Sequence, residues 1–203
     1  MRLVIDFDYT LFDTACLRAK LIMALADFGI TKKQFQETEK QVLKKGVYVL
    51  IEHLQQLSKI SSPRVAVSDL VLAVDQVFFD LSPCVYGDAR EFLEQAKQKK
   101  ILITILSFGH LAFQKRKILA SGLDAWADEV IVTDQPKEKI IDKWDKNDII
   151  FINDRGQEID KIKQKYPQLQ AVWLHRKHTP YDTEPCHRAD QELAKFNFNK
   201  IIN

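Results

Sequence analysis

Short runs of apolar, often β-branched residues alternate with stretches of helical periodicity along most of the chain. The runs fall at residues 3–5, 101–106, 129–132, 148–152 and 171–174. Within each run consecutive residues are apolar, so neither face of the strand is meant for water. That pattern predicts strands of a parallel sheet covered on both sides. Between them, residues 88–100 place Phe92, Leu93 and Ala96 on one helical face. Residues 111–121 read as a helix ending at Gly122, and residues 157–165 as one ending before Pro167. Strand and helix in alternation predict an α/β fold, a doubly wound, mostly parallel sheet of Rossmann-like type.

One interval breaks the alternation. From about residue 14 to residue 81 there is no convincing strand, only amphipathic helical spacing. Leu17, Leu21, Leu25 and Phe28 form one stripe, Val47, Leu50, Ile51, Leu54 and Leu57 a second, and Leu70, Val74, Val77 and Phe78 a third. The interval reads as a small helical cap domain, residues 14–81, inserted into a core made of residues 1–13 and 82–203. The two connections are expected near residues 13–16 and 81–87, where Pro83 and Gly87 punctuate the chain. His53 on the second stripe is expected to be exposed or capping.

Composition narrows the class. Hydrophobic residues make up 46% of the 203 and charged residues 29%, enough for a packed core and unlike a disordered chain. Lys+Arg 30 against Asp+Glu 28 leaves a formal charge of +2, too weak a field to attract nucleic acid or an anionic membrane. The basic stretch at residues 97–100 reads as the solvated end of a helix. Cys16, Cys84 and Cys186 are odd in number and far apart, giving neither a disulfide framework nor a metal clip, which suits a reducing cytoplasm. Asp6 comes too early for a signal-peptide apolar region, and no run is long enough to span a bilayer. A cytoplasmic monomer or weak homodimer is expected.

Candidate chemistry lies just past the strands. Asp6-Phe7-Asp8-Tyr9-Thr10 sets two carboxylates two residues apart after the first run. In α/β sheets ligands bind at the carboxyl ends of strands, and paired carboxylates repel unless a divalent cation relieves them. Oxygen-only ligands favour Mg2+. Ser107-Phe108-Gly109 follows the second run with a hydroxyl and backbone N–H groups suited to phosphate oxygens, although a plain helix cap reads the same way. Lys137 and Lys139 follow the third run as point cations, and Asn153-Asp154 with Glu158 follows the fourth. His175, His178, Cys186 and His187 gather near the C-terminus without any zinc spacing, in a stretch broken by Pro180 and Pro185 that reads as a surface loop. No P-loop and no nucleophile elbow is present.

The order of these groups resembles the haloacid dehalogenase superfamily in its phosphatase-like branches, over essentially the whole chain. Asp6, Asp8 and Thr10 match the first motif, Ser107 the second, Lys137 (or Lys139) the third, and Asp154, with Glu158 as a further candidate, the fourth. The helical insert matches the family's cap. Tyr9 stands where Gly is frequent, and the fourth motif departs from its commonest two-aspartate form. The resemblance implies a Mg2+-dependent phosphatase acting on a small phosphorylated metabolite through an aspartyl-phosphate on Asp6. Asp8 would serve as acid and then base. Asp6, the backbone carbonyl of Asp8 and Asp154 would hold the metal. Ser107, Phe108, Gly109 and Lys137 would bind the transferring phosphate. It implies as well that an acid at Asp8 favours phosphate esters over haloacids. The helical insert would act as a lid, with Phe12, Met23 and Tyr48 as guesses for leaving-group contacts. A phosphomutase on the same scaffold and a catalytically silent binding or regulatory relative are the alternatives.

Overall fold

A computed structural model describes residues 1–44 and 46–202. Its centre is a six-stranded sheet in the order β3-β2-β1-β4-β5-β6, all neighbours parallel. The strands are β1 (Arg2–Ile5), β2 (Leu102–Phe108), β3 (Glu129–Thr133), β4 (Ile149–Asn153), β5 (Gln170–Leu174) and β6 (Gln191–Leu193). The first five coincide with the apolar runs. β6 was not expected; its three residues are polar at two positions and pair only at the edge, with β5.

β1 lies between β2 and β4, with Ile5 in register with Ile105 on one side and Ile152 on the other. Strand order reverses at this point, and open α/β sheets bind ligands in the crevice beyond it. The side chains alternate between two buried layers. Leu3, Ile5, Ile103, Ile105, Ile150 and Ile152 face one, and Val4, Leu106 and Phe151 the other. The first layer is closed by α5 (Gly87–Gln98) and α6 (Leu111–Ser121), through Phe92, Leu93 and Ile118. The second is closed by α7 (Lys137–Ile141) and α8 (Gly156–Lys165), through Ile141, Ile159 and Ile162. Each such fully buried aliphatic or aromatic side chain contributes about 1.5–3 kcal/mol. A last short helix, α9 (Phe198–Ile202), packs near α5, with Phe196 just before it stacked 4.6 Å from Phe92.

Four helices fill the interval between β1 and α5: α1 (Thr14–Ala26), α2 (Lys32–Leu43), α3 (Leu50–Ile60) and α4 (Val67–Val77). α2 escaped the sequence pattern because its buried face carries only Phe35 and Val42, with Thr38 between them. His53 is fully buried, which overturns its reading as exposed. Its Nε2 lies 3.1 Å from the Phe35 carbonyl and 2.7 Å from Thr38 Oγ1, and its Nδ1 lies 2.8 Å from Tyr48 Oη. Burial pushes this imidazole down to about 4. The ring is thus a neutral peg between α2 and α3. Of the guessed leaving-group contacts, Phe12 is fully buried and stacks on Phe7, Tyr48 bonds His53, and Met23 is exposed.

The two connections to these helices run side by side. Asp13 N–H donates to the Cys84 carbonyl and Tyr86 N–H to the Leu11 carbonyl. Cys16 and Cys84, with Cα atoms 5.6 Å apart, form a disulfide across them. That corrects the expectation of three unpaired cysteines; only Cys186 is free, and the argument from cysteines for a reducing compartment loses most of its weight. Among the described residues no helix is long and apolar enough to cross a membrane.

Candidate active site

The carboxyl ends of β1 and β4, with the N-terminus of α7, bring Asp6, Thr10, Lys137, Asp154 and Glu158 together, and Ser107 lies near the end of the neighbouring β2. Asp6 leaves β1 almost fully buried, with its N–H bonded to the Ile152 carbonyl of β4. Lys137, on the first turn of α7 and 5% exposed, reaches Asp6 Oδ1 at 2.5 Å and Glu158 Oε2 at 2.8 Å. Lys139 instead bonds the side chain of Gln135. Of the two lysines, Lys137 is the one that reaches Asp6. Glu158 also acquires a place: it accepts from Asn153 Nδ2 at 2.8 Å and pairs with Arg155.

Thr10 joins the first and last groups. Its hydroxyl stands 3.2 Å from both Asp6 Oδ2 and Asp154 Oδ1, and accepts from Asp154 N–H at 3.1 Å. Trp173 Nε1 holds the Asp154 carbonyl from β5. Ser107 Oγ and Asp154 Oδ2 are among the buried polar atoms that have no hydrogen-bond partner. Such orphans are costly unless something answers them, and they cluster at functional sites.

Charge follows burial. Burial raises the Asp6 carboxyl, the Lys137 charge opposes this, and Glu158 and Asp8 push it further up. Asp154 is held well above the ordinary carboxylate value, first by burial and then by the Asp6 charge. Burial would lower the Lys137 ammonium, but Asp6 and Glu158 outweigh it and keep it protonated. Two buried carboxyls raised together at the ends of adjacent strands make this cluster the candidate functional site.

Tyr9 has φ +57°, the left-handed conformation, which explains why Gly suits this position. Its ring meets that of Tyr181 edge-on at 5.9 Å, and the Arg155 guanidinium lies 4.6 Å over Tyr181. The C-terminal loop that carries Tyr181 is thus seated against the site. Gly156 at the start of α8 makes this seating close: an added Cβ would come within 2.4 Å of the Pro185 carbonyl oxygen.

A family model for haloacid dehalogenase-like hydrolases matches residues 2–159. The chain belongs to the haloacid dehalogenase-like hydrolase family. Solved structures agree on the fold. A protein described as a haloacid dehalogenase-like hydrolase from Burkholderia xenovorans is 22% identical with a TM-score of 0.72, covering 96% of this chain and 92% of that one. The HAD-hydrolase YfnB from Bacillus subtilis, bound to magnesium, is 16% identical with a TM-score of 0.62, covering 96% and 94%. L-2-haloacid dehalogenase from Xanthobacter autotrophicus is 17% identical with a TM-score of 0.61, again covering 96% and 94%. A search of curated proteins found no match.

Two of the expected site groups already have hydrogen-bond partners within the protein. Gly109, with φ +148°, spends its N–H on the Thr133 carbonyl at 2.9 Å, so that donor is not free for phosphate. The adjacent Phe108 carbonyl accepts from Gln114 Nε2. Asp8 does not face the Asp6–Asp154 pair as a free carboxyl. It accepts from Lys117 Nζ and Thr14 Oγ1, each at 2.5 Å, and from Gln114 Nε2 at 2.7 Å. Burial would raise Asp8, but the Lys117 charge and these three hydrogen bonds outweigh it and hold it low. Lys117 and Gln114 were missed from sequence. Their signal was present: two polar residues, three apart, on the buried face of α6.

The donor set fits a divalent cation. Asp6 and Asp154 share one hydroxyl, both are raised by burial, and Asp154 Oδ2 has no partner. All donors are oxygen. Among the described residues no three His, Cys, Asp or Glu side chains gather as a ready-made metal cluster. Mg2+ is commonly bound through one or two carboxylates, the number this pair supplies.

Proposed function

We propose that this family member is a Mg2+-dependent phosphatase that hydrolyses a phosphate monoester of a small metabolite through an aspartyl-phosphate on Asp6. The observation that carries the reading is Asp6 itself, a buried carboxylate with Lys137 ammonium on one oxygen and the Thr10 hydroxyl, shared with Asp154, on the other.

In the first step an Asp6 carboxylate oxygen attacks phosphorus, an Asp6 O–P bond forms, and the P–O bond to the leaving group breaks. Lys137 and the Ser107 hydroxyl, which has no partner within the protein, would stabilise the charge of the transferring oxygens; losing one such contact costs about 3 kcal/mol of transition-state stabilisation. In the second step water attacks phosphorus, releasing phosphate and regenerating Asp6. Asp8, held ionised by Lys117, is suited to take the proton of that water. The acid half of its role requires Asp8 to take up a proton as substrate loosens the Lys117 contact. Mg2+, held by Asp6, Asp154 and the Asp8 carbonyl, would neutralise charge between nucleophile and phosphate. The helices α1–α4 would close over the site and select the leaving group.

Haloacid hydrolysis is the competing chemistry, since a structural neighbour is an L-2-haloacid dehalogenase, but at 17% identity that likeness carries the fold only. An acidic group at Asp8 favours phosphate esters, because departing halide needs no proton. A panel of phosphorylated metabolites with Mg2+, run beside 2-haloacids, separates the two. Phosphate release that disappears in Asp6→Asn supports the reading. Halide release without phosphate release overturns it, and isomerised product without free phosphate assigns a mutase.

A further inference from the structure

The structure assigns Arg176 as a positioning residue for the nucleophile loop, acting through Thr10 from outside the segment that the family model covers. This rests on the proposed function only in taking Asp6 and Asp154 as the working pair.

Arg176 sits two residues past the end of β5, at the same sheet edge as the site, and is 8% exposed. A buried guanidinium is costly unless its donors are answered. Here they are answered by the nucleophile loop. Nε and Nη2 both donate to the Thr10 carbonyl, at 3.2 and 3.1 Å. Nη2 also reaches both Asp88 oxygens, at 3.1 and 3.0 Å. Asp88 is fixed in turn by the Phe196 N–H at 2.7 Å and lies in the first turn of α5, where a negative charge is favoured. The guanidinium plane rests 3.8 Å over the Tyr86 ring. Arg176 is therefore held by Asp88 and the Tyr86 ring, and its Nε–Nη2 edge grips one carbonyl oxygen.

That carbonyl belongs to the residue whose hydroxyl stands 3.2 Å from both Asp6 and Asp154. Holding the Thr10 backbone fixes where the hydroxyl lies, and so fixes the separation of the two carboxylates. Lysine cannot do this. A guanidinium presents a planar fork that meets two acceptors at once, whereas an ammonium is a point charge on a flexible stem. Partners of this outer kind typically matter by about 10–100-fold in metal affinity.

The test compares full-length wild type, Arg176→Lys and Arg176→Met. Mg2+ affinity is measured by calorimetry, the fold by circular dichroism, and Thr10 by crystal structures of the variants. Lys163→Met is the control, because Lys163 ties the Pro167 and Leu169 carbonyls to Asp190 ahead of β5, away from the site. The expected result is Mg2+ binding weakened about 10–100-fold in both Arg176 variants and unchanged in the control, with the Thr10 hydroxyl displaced from Asp6 or Asp154. Folded Arg176 variants that keep wild-type Mg2+ affinity, or keep Thr10 bonded to both carboxylates, overturn the assignment. If Arg176→Met does not fold, Arg176→Lys decides by the same criteria. Wild type that binds no Mg2+ sinks the metal set of the proposed function, and the crystal structures then decide the role of Arg176 alone.

Discussion

Lys137→Met removes the ammonium that lies 2.5 Å from Asp6 and 2.8 Å from Glu158 while keeping the apolar stem. At an effective dielectric of about 20, each pair is worth roughly 6 kcal/mol before desolvation. Relief of the buried ammonium returns several kcal/mol, and breaking a buried pair costs about 3–5 kcal/mol net. That is the loss expected at neutral pH without divalent cations. Its pH dependence is the sharper test. In the variant Asp6, Asp154 and Glu158 share a buried pocket with no ammonium. Asp6 and Asp154 are already raised, and Glu158, held low in the wild type by Lys137, rises as well. A carboxyl raised in the folded state binds protons there before it does unfolded. Its contribution is present at acid pH and lost as pH rises through the folded value. The variant should therefore recover stability relative to wild type as pH falls from neutral towards the ordinary carboxylate values of 3.8 and 4.5. Urea unfolding followed by circular dichroism in a chelator, at several pH values, measures this. A loss under about 1 kcal/mol, the scale of an exposed ion pair, or a gap that widens in acid, refutes the reasoning.

Three further outcomes are expected. Because His53 is buried at about 4 against an ordinary 6.5, the folded state refuses a proton that the unfolded chain accepts; acidification through that window should cost about 3 kcal/mol, and a pH-stability curve of the same steepness in His53→Gln would contradict this. Mg2+ at about a hundredfold its dissociation constant should stabilise the wild type by about 2.7 kcal/mol and Asp154→Asn far less, read as a shift in unfolding temperature; equal shifts would remove Asp154 from the metal set. Reducing the Cys16–Cys84 bond, whose ends lie 68 residues apart, should lower unfolding stability by about 4 kcal/mol on the chain-entropy account; coincident urea midpoints with and without reductant would contradict it.

Much of this architecture is written in local patterns. Buried parallel strands need apolar residues on both faces, so β1 to β5 stand out, whereas the edge strand Gln191–Leu193 buries too little to leave a trace. That Asp6, Lys137 and Asp154 would lie close was legible because strand ends in a parallel sheet share one rim. What they touch was not. Lys117 and Asp8 are 109 residues apart, and Arg176 and Thr10 are 166 apart; no periodicity encodes such meetings. The disulfide had a faint signal. Cys16 and Cys84 each fall in one of the two stretches expected to connect the helical insert to the core, and those stretches must lie side by side. His53 misled because a polar residue on an amphipathic helix is usually solvated; here Thr38, Tyr48 and the Phe35 carbonyl satisfy both ring nitrogens in the interior.

Nucleophilic attack on phosphorus by Asp6 is tested most directly by a single turnover of a hydrolysed phosphate monoester in 18O-labelled water, with mass spectrometry of released phosphate and of the peptide that carries Asp6. Hydrolysis of an aspartyl-phosphate by attack on phosphorus places the label in phosphate and leaves Asp6 unlabelled, with a phosphorylated Asp6 peptide trapped on rapid quenching. Label appearing in the Asp6 carboxylate, as cleavage of an alkyl ester at its carbonyl carbon would give, or phosphate release that persists undiminished in Asp6→Asn, would contradict the account.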